Sequence, residues 1–485
     1  MLLLFYILLS FIYSLDNSFD NQSQILVKVK DRIITKNDFI KRSEYAIRPS
    51  YCKSDNNIHK KIILNSLISE KIMAIDIEDN LLSSDYSNNF IDGFKEQKMR
   101  EFLLREEVYN LIQIDSLTIQ SHYDNSMKEY NIEFISLDND SLSQSIEELL
   151  SEGVDFSNIC YNYLNLKTIP RRYINYFDEH DPDIHNAIFS ENKYKNQVIG
   201  PILSKDKKKI YIKIIDWTDN TLITNEDKYN QWDSVKRKIY ENKCIKGYDL
   251  YVLNVMNGIG LEFLKEPFWK LVDQTFNQLS QKKNNEFNYE GVSAEFNLLI
   301  ESDIDPDEDL LVFNNKLYTI SDIQLLINQH PLVFRKENIG IQDYGLQLKY
   351  AIADLLRDQR LNAIAYNREY DINPSILKEV QIFKDAILSN FHLKTYLNGK
   401  NISLDNFNSN YLNIIDNNLN DYIESLISKY SSDIFINLNL LDEIQLTRID
   451  LYTYRKGVPY PFIVPNFPVL TSKYKIDYGI DVNIP

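Results

Sequence analysis

Six histidines are available for chemistry along the 485 residues: His59, His122, His180, His185, His330 and His392. Only His180 and His185 lie close together, among Asp178, Glu179, Asp181 and Asp183, and that is the one arrangement whose donors could suit a metal ion. The surrounding segment is irregular and polar, so it reads as a solvated loop, and no metal is assigned. Cys52, Cys160 and Cys244 are an odd number at wide spacing without a C-x-x-C, which points to neither a disulfide framework nor a zinc site. No G-x-S-x-G, H-E-x-x-H, phosphate-binding Walker loop or G-x-G-x-x-G occurs. Hydrolase, kinase and dehydrogenase chemistry therefore has no support, and no catalytic residue or cofactor is assigned.

The elements that could position a site are clearest between Glu129 and Trp217. A short alternating strand, Asn131-Ile-Glu-Phe-Ile-Ser-Leu137, leads into a helix with Ile146, Leu149 and Leu150 on one face. Gly153-Val-Asp-Phe156 opens a further turn through Ile159. Tyr173-Ile-Asn-Tyr-Phe177, Ile184-His-Asn-Ala-Ile-Phe-Ser190, Val198-Ile-Gly-Pro201 and the strand Ile210-Tyr-Ile-Lys-Ile-Ile-Asp216 follow. In order and content these pieces resemble the parvulin family of peptidyl-prolyl isomerases.

Departures from that family bear on activity. Parvulins carry one histidine in the first strand and another in the last; here those places fall on Phe134, or Glu133 if the register slips by one, and on Ile210. The glycine-rich run that opens the family's second strand appears as Arg171-Arg-Tyr-Ile-Asn175. Of the apolar residues that would hold a proline ring, Phe189 matches. Isomerisation means lowering a rotational barrier of ~20 kcal/mol by favouring the twisted amide, and the family's polar cluster places the substrate carbonyl for it. With that cluster absent, the resemblance implies a peptide-binding or structural domain with Phe134, Phe189 and Ile210 as contact residues. An active isomerase and a scaffold without clients are the competing classes.

The formal charge of −17 excludes nucleic acid as the main partner, because backbone phosphates demand a basic surface. Met1-Leu-Leu-Leu-Phe-Tyr-Ile-Leu-Leu-Ser-Phe-Ile-Tyr-Ser14 has the length of a signal peptide and is short for a membrane span, so export is expected, with cleavage after Ser14.

Upstream of the parvulin-like stretch, Ile25-Leu-Val-Lys-Val-Lys-Asp-Arg-Ile-Ile-Thr35 reads as two strands around a Lys30-Asp31 turn, with Thr35 at the start of a helix. Helical periodicity returns at Ile63, Leu64, Leu67, Ile68 and Ile72 and again from Phe94 to Ile112; a further helix is expected from Asp115 through Tyr130. This arrangement, with Tyr123-Asp-Asn-Ser-Met-Lys-Glu-Tyr130 before the isomerase-like stretch, resembles the SurA/PpiD/PrsA family of periplasmic chaperones and foldases. The same module recurs 284 positions later: Leu310 to Thr319 lies on Leu26 to Thr35, and Leu64, Ile68 and Ile72 meet Leu348, Ile352 and Leu356 without a gap.

The expected fold class is α+β: mostly helical chaperone modules plus a small antiparallel-sheet domain with flanking helices. The expected divisions are a signal peptide at 1–14, a strand pair with a helical module at 25–128 and the parvulin-like domain at 129–217. Long helices at 225–280, packing back on the N-terminal module, come next, then a second helical module at 310–440 and an extended tail at 441–485. Residues 281–309 form the best boundary, and the acidic run Glu301 to Asp309 lacks the spacing of a calcium loop. Prolines in Val458-Pro-Tyr-Pro-Phe-Ile-Val-Pro-Asn-Phe-Pro468 bar helix and central strand, so the tail reads as a strap over the preceding helices. What the resemblance implies is an exported, periplasmic chaperone that binds unfolded secreted or outer-membrane polypeptides in apolar grooves, without cofactor or nucleic acid.

Overall fold

The computed structural model describes residues 24–81, 85–204, 207–282, 293–294, 305–336, 339–451, 453, 455 and 457–481. The expected signal segment and most of the 281–309 boundary lie outside them. The fold is α+β, predominantly helical with several small sheets. It divides into two compact units, residues 104–254 and the remainder on either side of them in sequence.

In the 104–254 unit, four antiparallel strands stand in the order Arg171–Ile174, Lys128–Leu137, Lys209–Asp219, Val198–Leu203. Alternation divides the side chains between two faces. Tyr130, Ile132, Ile212 and Ile214 pack into one core with Ile188 and Phe189, while Ile135 and Tyr211 pack on the other side with Ile146, Phe156 and Ile159. Gly200 permits the last hairpin: its φ of +140° suits glycine alone, and a Cβ there would lie 2.7 Å from the Ile210 carbonyl oxygen.

One expectation fails here. The helix begun at Asp115 ends at Ser126, and Tyr130 is already a buried strand residue. Burying Tyr130 and Ile132 on the sheet face outweighs continuing the helix. The long helix Asn225–Val255 places Val235 and Ile239 in the sheet core of this unit and also meets residues 109–123: Tyr240 donates to the Tyr109 carbonyl at 3.1 Å, Lys243 to the Gln113 carbonyl at 2.8 Å, and Trp232 packs on Tyr123.

The other unit holds the two similar modules. Strands Ile25–Val29 and Arg32–Thr35 form one hairpin, and Asp309–Phe313 and Lys316–Thr319 form the other. Each turns through two residues, with left-handed backbone at Lys30 in one and at Asn314 and Asn315 in the other. The same bulge interrupts both. Pairing steps from Ile25–Thr35 to Val27–Ile34, and from Asp309–Thr319 to Leu311–Tyr318. Leu26 and Leu310, the residues left out, are both fully buried. Thr35 and Thr319 then cap helices Lys36–Glu44 and Ile320–Gln329 through capping boxes closed by Asp38 and Asp322. The long helices Asn57–Leu81 and Ile341–Asn367 begin 284 positions apart, and Leu64, Ile68 and Ile72 are as buried as Leu348, Ile352 and Leu356.

A third strand joins each hairpin in the same register, and in the first sheet Ile480–Asp481 adds a fourth, parallel to the third. Ile436 and Ile434 lie opposite Val27 and Val29; Phe263 and Leu261 lie opposite Leu311 and Phe313. Ile434–Ile436 follows the second hairpin in sequence but pairs with the first. Leu261–Phe263 follows the first but pairs with the second. The two modules thus exchange their third strands, and each keeps its own apolar core. Lys60, buried on helix Asn57–Leu81, fixes the exchanged segment by donating to the carbonyls of Leu441, Asp442 and Ile444 at 3.0, 3.2 and 3.0 Å. It supplies the donor that the C-terminus of helix Leu438–Glu443 needs.

Candidate functional site

Phe134 and Ile210 stand on adjacent hydrogen-bonded strands. Phe134 lies opposite Ile212 and Ile210 opposite Ser136, so the two are diagonal neighbours on one face of the sheet. Both are half-buried and pack against the core that contains Phe189. Glu133, the alternative to Phe134, belongs to the opposite face: it is buried and accepts from the Arg171 guanidinium at 2.7 and 2.9 Å. On that side Lys213 also donates to Asp155 and Ser157, at 3.0 and 3.2 Å.

Phe189 is brought to the same core as Phe134 and Ile210, but it presents no surface. Its exposure is 0%, and it is enclosed by Tyr130, Tyr176 and His185, with ring centroids at 5.6, 5.1 and 5.1 Å. Side chains of the protein itself fill the space around Phe189. What remains open to a ligand at these three positions is the apolar edge formed by Phe134 and Ile210.

The residues around Phe189 correct the reading of His180 and His185 as a solvated loop. Asp181 caps a helix, Pro182–Phe189, whose inner face carries His185 with no exposed surface, and the His180 side chain is 5% exposed. His122 arrives from helix Ser116–Ser126; its ring stacks on His185 at 6.0 Å, and its Nδ1 shares a hydrogen bond of 3.0 Å with the Tyr176 hydroxyl. The Asn242 amide donates to His185 Nδ1 at 3.1 Å, which assigns the proton to Nε2 and lets it donate to the Tyr176 carbonyl at 3.0 Å. With both nitrogens engaged, His185 has no lone pair for a metal. Among the described residues, no group of three or more His, Cys, Asp or Glu could hold a metal ion.

Burial, then the Lys238 ammonium, push the His185 pKa down to about 3; burial also lowers those of His122 and His180. The cluster is therefore neutral at pH 7, a packed and hydrogen-bonded support beneath Phe189. Its rings come from helices and the 175–181 segment that follows strand Arg171–Ile174, so they do not restore the two strand histidines of the parvulin pattern. A local signal was present, because His185 and Phe189 are four apart on one short helix and must share a face. Nothing local could have added His122 or Asn242.

No family model matches this chain, and no curated protein matches it. Among solved structures it is similar to the crystal structure of the foldase protein PrsA from Lactococcus lactis, with 11% identity, covering 47% of this chain and 93% of that one, at a TM-score of 0.17. Similarity at that level assigns no residue a role. Among the described residues, no helix is long and apolar enough to cross a membrane.

Proposed function

We propose that this chain is an exported chaperone of the SurA/PpiD/PrsA kind, which holds unfolded secreted or outer-membrane polypeptides. Its parvulin-like domain makes apolar contact and does not turn over proline bonds. The observation that carries this reading is the fully buried Phe189 beneath the half-buried Phe134 and Ile210. Where an isomerase needs an open proline pocket with polar groups around it, these positions offer a packed apolar surface. The strand hairpins and helical modules that recur 284 positions apart are read as a duplication that enlarged the surface available to clients. A net charge of −17 keeps such a surface soluble and favours neutral or basic clients.

Dilution of an unfolded outer-membrane β-barrel protein into buffer containing this chain tests the reading. Light scattering should fall in proportion to the chain added, up to a defined stoichiometry. Scattering unaffected by an equimolar amount would reject holding activity and leave the scaffold.

A further inference from the structure

We infer that the groove holding residues 458–478 is a binding site for extended polypeptides rich in proline and aromatic residues, and that the chain's own segment is its resident occupant. This rests on the chaperone reading above and gives it a location.

The segment bends between 457 and 464, where Phe462 makes one isolated bridge and the Pro461 carbonyl accepts from the Arg455 amide at 2.7 Å, and from 465 to 477 it contributes no described strand, so no sheet ladder fixes it there. Side chains grip its backbone instead. Gln97 donates to the Tyr460 carbonyl at 3.0 Å and accepts from the Tyr460 amide at 2.9 Å, as a neighbouring strand would. The Asn65 amide donates to the carbonyls of Lys473 and Lys475 at 2.7 and 3.1 Å, and Asn420 Oδ1 accepts from the Ser472 amide at 3.2 Å. Arg42, already paired with Glu70, donates to the Asn466 carbonyl at 3.2 Å. Bonds to main-chain groups read no sequence, which is how strand-addition sites accept many peptides.

Specificity comes from the pockets. The Tyr460 ring lies edge-on to Phe90 at 4.8 Å and above Gly93, where a Cβ would come within 2.9 Å of the ring. Phe467 and Leu470 enter the first module's core. Beside Phe467 and Val469 the surface carries a shallow, half-open depression of about 390 Å³, lined also by Phe391, Leu404 and Phe407. Pro459, Pro461, Pro465 and Pro468 show which chains suit the groove, those already held extended.

The test inserts a protease site beside Gly457 in the full chain and adds a fluorescent peptide of the 458–478 sequence after cleavage. The labelled peptide should bind the cut protein and exchange with the severed segment, and a permanently unfolded, alkylated protein should compete with it. Gln97→Ala and Asn65→Ala should together weaken the peptide at least ten-fold while circular dichroism of the uncut chain stays unchanged. A peptide with both aromatic anchors replaced by serine should bind at least ten-fold more weakly. Absence of exchange with the cut protein still folded, exchange that unfolded protein does not compete with, or collapse of the cut protein when the segment leaves would each overturn the inference. Suppression of aggregation that survives such a result would leave the chaperone reading standing. Its loss in cut and intact protein alike would remove both.

Discussion

Phe189 and Tyr176 meet edge to face, with ring centroids 5.1 Å apart and planes inclined at 71°, and both are sealed from solvent. Tyr176 in turn binds His185 and His122, so Phe189 is held in a hydrogen-bonded aromatic cluster of the protein itself.

Replacing Phe189 by alanine should therefore behave as a core deletion and cost on the order of 3–5 kcal/mol. Thermal unfolding of the full chain, followed by near-ultraviolet circular dichroism, checks this. A variant as stable as the parent protein would place Phe189 at an open groove.

The His185 cluster should make the 104–254 unit acid-sensitive. The folded chain keeps the imidazole neutral down to about pH 3, whereas an unfolded histidine takes up its proton near pH 6.5. Stability present above that value is lost as the pH falls from about 6.5 towards 3, by on the order of a few kcal/mol. Urea unfolding at several pH values measures the slope, and His185→Gln should flatten it.

Thr35 and Thr319 close equivalent capping boxes in separate cores, so each change to alanine should cost about 1 kcal/mol. The double variant should lose their sum to within about 0.5 kcal/mol. Denaturant midpoints of the three variants check this, and strong non-additivity would mean that the modules unfold through one another.

Lys60→Met retains the aliphatic stem and removes the donor from three carbonyls, which should cost about 1–3 kcal/mol. Hydrogen exchange should rise first across 434–444, the segment that completes the first hairpin.

Much of this was legible in the sequence where the signal was local. The two hairpins announce themselves by alternation and two-residue turns, and Thr-x-x-Asp marks the helix starts. The third strands were not legible: Leu261–Phe263 and Ile434–Ile436 are three residues each, too short for periodicity, and their exchange is a matter of partner choice between two equivalent sheets. The candidate site divided in the same way. Phe134 and Ile210 followed from strand order, while the environment of Phe189 depends on His122 and Asn242, which reach it from helices distant in sequence. His185 was misread because polar neighbours in sequence hid the inward face of an eight-residue helix.

Refolding of an unfolded protein whose slow phase is limited by a trans-to-cis proline bond, with stoichiometric amounts of this chain present, addresses the central claim most directly. The slow phase should keep its uncatalysed rate constant, while the fraction lost to aggregation falls. A slow phase accelerated in proportion to the chain added, and returned to the uncatalysed rate by Phe134→Ala, would show a working isomerase at the edge formed by Phe134 and Ile210.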